Sequence, residues 1–230
     1  MTTGKLQTLD RGIEALLLVA KAPEGLTVSN LATRLGLHRA VTYRIVATLA
    51  DRGMVRRVGD GCIVLGANAY LLGGNTVDNI RAMALPVLED LAKRCEATAF
   101  LSMADSEECV VVLSAEPRDV AVTIRYRVGR RHPITLGAAG IAILAARPET
   151  EADSQDVRSA RKLGYSITRS QLHKGAVGVS SALRLTGGGF ARHEFSVGVV
   201  AFEDLDLDAA TAAVADAAQT LSKMITSLSL

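Results

Sequence analysis

The sequence contains no tryptophan, and aromatic residues make up only 3% of its 230 residues. A core must therefore be built from aliphatic side chains and alanine, and a protein that stacks single-stranded bases on aromatic rings is disfavoured. Hydrophobic residues nevertheless make up 49% of the chain and charged residues 22%. These values are typical of a folded protein. The length allows one large domain or two modest ones, each with its own core.

Cysteine is also scarce. Cys62, Cys95 and Cys109 are far apart, and none has the paired spacing of a zinc site. We expect reduced and mostly buried thiols, no metal site and no cofactor. The chain begins without a secretory signal pattern, and no apolar run reaches the length of a membrane span. These absences predict a cytoplasmic protein with no membrane partner.

Catalytic motifs are missing as well. The four histidines are scattered, and neither HExxH, GxSxG nor a P-loop occurs. Ser180 and Ser181 lie in an apolar strand pattern and are interpreted as packing residues. The Gly187–Gly189 run joins two predicted strands with no helix after it, unlike a phosphate-binding loop. We predict no catalytic residue and a protein that is not an enzyme.

The most informative stretch runs from Thr27 to Thr48. Apolar spacing predicts two short helices, and Gly36 between them suits a left-handed turn. We expect Val41, Ile45 and Leu49 to form the buried stripe of the second helix. Two helices joined in this way are typical of a helix-turn-helix, whose second helix enters the DNA major groove. An ordinary surface-exposed helical hairpin is the alternative.

The residues after Leu49 favour the DNA-binding interpretation. Two short strands, 54–58 and 62–65, are separated by Gly-Asp-Gly, which predicts a hairpin, or wing. Residues 1–66 carry nine Lys/Arg against five Asp/Glu, whereas the remainder carries 17 against 19. A basic head suits binding to phosphates. The predicted DNA-binding residues, on the two helices and the wing, are Thr27, His38, Arg39, Ala40, Thr42, Tyr43, Arg44, Arg56 and Arg57.

Three further segments complete the predicted organisation. Asp10 is expected to cap a first helix that buries Ile13, Leu16, Leu17 and Ala20. Residues 67–79 are predicted to be a linker between a 1–66 head and an 80–230 domain, because two glycines in this stretch weaken a helical pattern. The third segment, 80–230, is predicted to be an α+β domain with helices on an antiparallel sheet. Its predicted elements are a helix over 80–97, strands 98–104, 109–115 and 119–129, a helix over 136–146, a helix ending at Gly164, a strand after it, a 175–185/194–202 hairpin, and a last helix capped by Asp206 or Asp208.

In order along the chain, several segments resemble the IclR family of bacterial transcriptional regulators. They are LDRGIEAL, LTVSNLATRLGLHRAVTYRIVATLADRGMV, IVLG, LPVLEDLAKRCEATAFL, RHPITLGAAGIAILAA and RKLGYSITRSQLHKGAVGVSSAL. The resemblance covers nearly the whole chain. It implies an N-terminal winged helix-turn-helix, a linker helix and a C-terminal GAF-like domain that binds a small organic effector. It also implies a homodimer through the DNA-binding heads, or a homotetramer as a pair of dimers.

The resemblance also places an effector pocket in the C-terminal domain. Its expected residues are Ala138, Ala139, Gly140, Thr168, Ala176, Gly178, Val199 and Ala201. The acidic, cysteine and serine groups that relatives use for small carboxylates are absent at these positions, which favours a larger, more apolar effector such as an aromatic acid or amide. The chain is short between Ala146 and Arg161, so the pocket is expected to be more open than usual or completed by a neighbouring subunit. The arginines at 125, 127, 130 and 131 either supply a carboxylate partner or are solvated.

Two functions remain open at this point. One is a regulator, more often a repressor than an activator, whose binding to a double-stranded DNA operator is modulated by the effector. The alternative is an architectural or orphan DNA-binding regulator that responds to no effector. A void lined by Ala138, Gly178 and Ala201 would favour the first, and a filled core the second.

Overall fold

The structure, a computed structural model, describes residues 4–59, 61–118, 120, 122–186 and 193–227, with the backbone alone for 73–79. The chain divides into two compact units, Met1–Asp78 and Asn79–Leu230. No helix in the described part of the chain is long and apolar enough to cross a membrane.

The N-terminal unit is a helix-turn-helix followed by a β-hairpin, as predicted. Its elements are α1 (Gln7–Ala20), α2 (Val28–Leu35), α3 (Arg39–Asp51), β1 (Val55–Val58), β2 (Cys62–Leu65) and the beginning of α4 (Ala67–Cys95). The Oγ1 atom of Thr27 caps α2 by accepting a hydrogen bond from the Asn30 amide at 3.2 Å. Gly36 ends α2 in the left-handed conformation, with φ at +63°.

The first helix differs from its prediction. It begins at Gln7, so Asp10 lies inside its first turn and caps nothing. The buried residues are Ala15 and Val19, whereas Ile13 and Leu17 are exposed. The small alanine allows close packing against the other helices of the head, and the larger apolar side chains form a separate outward stripe.

The predicted linker and the helix expected after it are one helix in the structure. α4 runs without a break through both glycines at 73–74 and through Pro86. Two glycines cost about 2 kcal/mol relative to alanine, a cost that tertiary packing elsewhere on the helix offsets. Its C-terminal half supplies that packing, because Ala84, Leu88 and Leu91 are buried.

The C-terminal unit is an antiparallel six-stranded sheet with helices on both faces. The strand order is β5-β4-β3-β8-β7-β6, and every adjacent pair is antiparallel. The elements are β3 (Thr98–Asp105), β4 (Glu108–Ala115), β5 (Arg131–Pro133), α5 (Gly137–Ala146), α6 (Gln155–Leu163), β6 (Ser166–Arg169), β7 (Ala176–Ala182), β8 (Phe195–Phe202) and α7 (Leu207–Ser227). This arrangement confirms the predicted α+β class.

A separate hydrophobic core lies on each face of the sheet. One face of the sheet packs against the end of α4 and against α7, through residues such as Leu101, Val199 and Leu221. The other face packs against α5, through residues such as Phe100 and Val200. Adjacent residues of one strand therefore belong to different cores, as the alternation of side chains in a strand requires.

The prediction of a strand over 119–129 is wrong for the described residues of this range. Asp119 and Ala121 lie outside the described residues. Residues 122–130 form a loop and turn, and the third strand of the meander is the short β5. Among the described residues, the segment forms backbone hydrogen bonds with β4 at its end, where the Gly129 amide donates to the Val111 carbonyl at 2.7 Å. Tyr126 is buried whereas Val122 is 68% exposed, so the alternation read in the sequence corresponds neither to strand pairing nor to one buried face.

The remaining C-terminal predictions agree with the structure. Asp206 caps α7, its Oδ1 atom accepting from the amides of Asp208 and Ala209 at 3.1 Å. Gly164 ends α6 in the left-handed conformation. Residues 187–192, most of the predicted 175–185/194–202 hairpin turn, lie outside the described residues.

Candidate DNA-binding face and effector cavity

The outward face of α3 is polar and basic. Arg39, Ala40, Tyr43 and Arg44 are all exposed, and His38 is exposed at the start of the helix. The opposite face holds the helix to the head through Ile45 and Val46, which are buried. The arrangement leaves two guanidinium groups and a phenol free of the head core. These are groups that bind phosphate oxygens and base edges.

Thr42 was predicted to lie on this face, and the structure corrects that prediction. Thr42 is 0% exposed, whereas Val41, predicted to be buried, is 37% exposed. The Thr42 hydroxyl donates to the His38 carbonyl within the helix at 3.3 Å. A threonine satisfies its hydroxyl in this way and buries its methyl group, so a polar residue occupies a core position at little cost.

The wing places its two arginines on opposite faces. Neighbouring residues of a strand point to opposite sides, so Arg56 and Arg57 cannot both face the recognition helix. Arg57 lies on the side of α3: its Nη1 atom donates to the Tyr43 hydroxyl at 3.2 Å, and its guanidinium carbon lies 4.7 Å from the centre of the Tyr43 ring. This cation–π contact joins the wing to the recognition helix. No local sequence pattern predicts this contact.

Five of the eight predicted effector residues line one cavity beside the N-terminal end of α5, named here the α5 cavity. They are Ala138, Ala139, Thr168, Ala176 and Gly178. The other lining residues, which were not among the predicted ones, come from the sheet, the loop around Tyr126, the first turn of α5 and the segment after β6. These are Phe100, Tyr126, Gly137, Gln171, Leu172, His173 and Val200.

Gly140, Val199 and Ala201 do not line the α5 cavity, which corrects three of the predicted positions. Val199 and Ala201 belong to the core on the opposite face of the sheet, against α4 and α7. The residue of β8 that faces the cavity is Val200. Gly140 serves close packing instead, because a Cβ atom there would overlap the Ile134 carbonyl.

The α5 cavity is small. Its volume is about 30 Å³, enough for one or two water molecules. Leu172 fills the space over Gly137, because its side chain lies where a Cβ atom of that glycine would fall. Gly178 leaves only contact distance to its neighbours, since a Cβ atom would lie 3.3 Å from that of Ala138. A cavity of this volume gives no support to the expectation of an unusually open pocket, and its completion by a neighbouring subunit stays a prediction.

Hydrogen bonds hold the first residues of α5 in place beside the cavity. The Ser166 hydroxyl donates to the Ala138 carbonyl at 2.6 Å, and the Gly137 amide donates to the Gln171 Oε1 atom at 2.9 Å. His132 is buried nearby, and burial lowers the pKa of its imidazole, which favours the neutral form.

The arginines at 125, 127, 130 and 131 are not among the cavity's lining residues. Arg131 forms a surface ion pair with Glu108 at 2.7 Å. The described residues contain no cluster of metal-ligating side chains.

Comparison with known proteins explains why these two sites occur in one chain. The family description "IclR helix-turn-helix domain" matches residues 8–59, and "Bacterial transcriptional regulator IclR C-terminal" matches residues 75–156. The chain belongs to the IclR family. It carries the helix-turn-helix head of that family, and its curated relatives are transcriptional regulators and not enzymes.

This IclR-family chain is similar to characterised proteins over most of its length. It is 27% identical over 153 residues to the transcriptional repressor IclR of Escherichia coli, covering 65% of this chain and 56% of that protein. The matched region thus spans little more than half of that relative. A crystal structure of an IclR homologue from Microbacterium hydrocarbonoxydans, complexed with 4-hydroxybenzoate, superposes with a TM-score of 0.74 at 18% identity, covering 96% and 99% of the two chains. An IclR regulator from Alicyclobacillus acidocaldarius gives 0.71 at 20% identity, covering 96% and 100%.

Proposed function

We propose that this protein is a cytoplasmic, sequence-specific repressor of transcription whose affinity for an operator is set by a small organic effector, an aromatic acid or amide. The observation that carries the DNA-binding part is the outward face of α3. Its exposed arginines and tyrosine lie on a head with a net charge of +4 over residues 1–66. A face of this kind suits insertion into a major groove.

In the proposed complex, Arg39 and Arg44 contact bases and phosphates from α3, and Thr27 contributes at the start of α2. Arg57 is held beside the groove by Tyr43, so it contacts a phosphate next to the site read by α3. Arg56, on the outer face of the wing, reaches a more distant phosphate. Each phosphate contact adds sequence-independent affinity that falls as salt concentration rises.

A homodimer through the heads is part of the proposal. Leu6, Leu9, Ile13 and Leu17 form an apolar stripe along α1, with exposures between 52% and 74%. A contiguous stripe of large apolar side chains favours a protein partner. Pairing two heads along this stripe gives two recognition helices, which match two half-sites of a palindromic operator. A tetramer then forms as a pair of such dimers.

The effector is proposed to bind in the α5 cavity. Phe100 and Tyr126 meet edge to face there, with ring centres 4.9 Å apart, and suit contact with an aromatic ring. The N-terminal end of α5 favours a carboxylate or an amide oxygen. The relative from Microbacterium hydrocarbonoxydans was crystallised with 4-hydroxybenzoate, a compound of this class.

Binding requires the cavity to open. An apolar cavity of about 150 Å³ is needed to hold a benzene ring, five times the 30 Å³ available. The effector therefore selects an expanded arrangement, and the energy of that expansion is the proposed link to the DNA-binding heads. Leu172, which covers Gly137, is the side chain that we expect to move first.

The small volume also favours the second candidate, an orphan regulator that binds DNA and no effector. A thermal-shift screen separates the two. Purified protein is heated with benzoate, 4-hydroxybenzoate, benzamide and short aliphatic acids, and each hit is tested for release of an operator selected from random duplexes. A ligand that binds the folded state raises the melting temperature by mass action. A hit that also changes operator affinity supports the sensor, whereas no hit with operator binding intact favours the orphan regulator.

A further inference from the structure

A second, much larger cavity adjoins the α5 cavity in the C-terminal unit. It has a volume of about 360 Å³, and we name it the β3 cleft because the start of β3 forms its floor. Thr98, Ile124 and Phe202 line it. Val200 lines both cavities, so the two meet at this residue.

Residues that line the two cavities are paired in one row across neighbouring strands of the sheet. Thr98 pairs directly with Val200, Val200 with Gly178, and Gly178 with Thr168. Directly paired residues share a face of the sheet, and neighbouring strands are about 4.8 Å apart. Thr98 therefore lies about 10 Å from Gly178 along this row. Thr168 and Gly178 line the α5 cavity, and Thr98 lines the β3 cleft.

The floor of the cleft holds a polar group without a partner. Thr98 is 0% exposed, and its hydroxyl makes no hydrogen bond to any residue that the structure describes. A buried hydroxyl without a partner costs free energy that a bound ligand can recover. Ser196 carries a similar buried and unpartnered hydroxyl on β8, but it lines neither cavity. Thr98 thus combines an unpaired hydroxyl with a place on a cavity wall.

The rim of the cleft is acidic. Glu96, Asp204 and Asp206 line it together with one cation, Arg94. That arginine is already paired with carboxylates of α4 and α7, at 2.9 Å from the Asp216 Oδ2 atom. A second carboxylate on a ligand would meet repulsion at this end. A hydroxyl or an amine is the group that the cleft suits.

We propose that the β3 cleft is the second half of the effector site, and that the effector is an aryl carboxylate with an apolar extension that crosses Val200 and ends in a hydroxyl or amine bound by Thr98. The carboxylate lies at the N-terminal end of α5, and two linked rings span the distance of about 10 Å along the row to Thr98. This inference rests on the proposed aromatic-acid function. The β3 cleft supplies volume for the extension, whereas the first ring still requires the α5 cavity to open.

The test compares two probes by isothermal titration calorimetry with the full chain. The short probe is 4-hydroxybenzoate, and the long probe is 4′-hydroxybiphenyl-4-carboxylate. Because the long probe buries an additional ring, it is expected to bind at least about 10-fold more tightly. Thr98→Val keeps the shape and removes the hydroxyl, so it is expected to weaken the long probe by about 5-fold and to leave the short probe unchanged.

Two further variants act as controls. Thr98→Ser keeps the hydroxyl and is expected to retain tight binding of the long probe. Ser196→Ala removes the matched buried hydroxyl outside the cavities and is expected to change neither affinity. The melting temperature of free Thr98→Val is expected to equal or exceed that of the wild type, since an unpaired buried hydroxyl has been removed.

The outcomes separate this inference from the function on which it rests. If the short probe binds and the long probe binds no more tightly, the extended site is refuted while the aromatic-acid effector stands. If the long probe binds equally well to Thr98→Val, the role of the hydroxyl is refuted. If neither probe binds the wild type, both this inference and the aromatic-acid proposal fail.

Discussion

Substitutions at Thr42 and Arg39 test the geometry of the recognition helix most sharply. Thr42→Val preserves the volume of a fully buried side chain and removes only its hydroxyl. That hydroxyl makes one long hydrogen bond, 3.3 Å to the His38 carbonyl, which also accepts from the amides of Val41 and Thr42. The carbonyl therefore keeps partners in the variant. We expect the free energy of unfolding to change by less than about 1 kcal/mol.

We expect a substitution of Arg39 to change DNA recognition and a substitution of Thr42 to leave it unchanged. Arg39 is exposed on the outward face. Arg39→Ala is expected to cost about 1 to 3 kcal/mol of operator affinity and to relax the preference at one base position. Thr42→Val is expected to leave every position of the preferred sequence unchanged.

The assay is selection of bound sequences from a randomised duplex library, paired with urea unfolding followed by circular dichroism. Thr42→Ala serves as a packing control, because it opens a small void and should lower stability without altering sequence preference. A changed base preference for Thr42→Val, at unchanged stability, would refute the assignment of Thr42 to the buried face.

Three further predictions concern other parts of the molecule. Gly140→Ala would place a Cβ atom against the Ile134 carbonyl, so we expect a loss of at least about 2 kcal/mol in urea unfolding; a loss below about 0.5 kcal/mol would contradict the observed packing. Arg56→Ala should reduce the slope of log affinity against log salt by about 1, whereas Arg57→Ala should also weaken discrimination between operator and random DNA; identical behaviour of the two variants would argue against separate roles for the two faces of the wing. Burial raises the pKa of the Cys109 thiol to about 11, against 9.0 for a free thiol, so this thiol stays protonated at pH 8 and should react with a thiol reagent only after unfolding; rapid reaction in the folded protein would show the site to be open.

The helix-turn-helix was predictable because its signals are local. Thr27 as a cap, Gly36 as a left-handed stop and glycines flanking the wing turn each act within a few residues. The choice of buried face was less certain. Val41 and Thr42 lie side by side on α3, and a period of 3.6 residues permits either as the partner of Ile45. The polarity of Thr42 favoured Val41 as the buried residue, and that prediction is wrong.

The strand next to the cavity shows a second limit. β8 reads FSVGVVAF, in which apolar residues occupy both faces because both are covered by helices. Without alternation, the sequence cannot show which of Val199 and Val200 faces α5, and an error of one position moves a side chain to the opposite core. The five predicted residues that line the α5 cavity were placed by the resemblance to a family and not by periodicity.

The loop before β5 shows a third limit, which concerns long-range contacts. Residues around Tyr126 alternate like a strand, but the edge of β4 is occupied by β5 and by a turn at Gly129. Pairing therefore depends on which segment reaches that edge, a property of the whole domain. Similarly, the contact between Tyr43 and Arg57 depends on the angle at which the wing returns to α3.

The most direct test of the central claim is the operator affinity of the full chain with and without a bound effector. Fluorescence anisotropy gives the dissociation constant for a labelled, selected operator at increasing 4-hydroxybenzoate concentration, for the wild type and for Gly178→Val, which fills the α5 cavity. We predict a change of at least about 5-fold for the wild type and none for Gly178→Val, with equal operator affinity in the absence of effector. Binding of the effector without any change in operator affinity, or an undiminished response in Gly178→Val, would contradict control of DNA binding through this cavity.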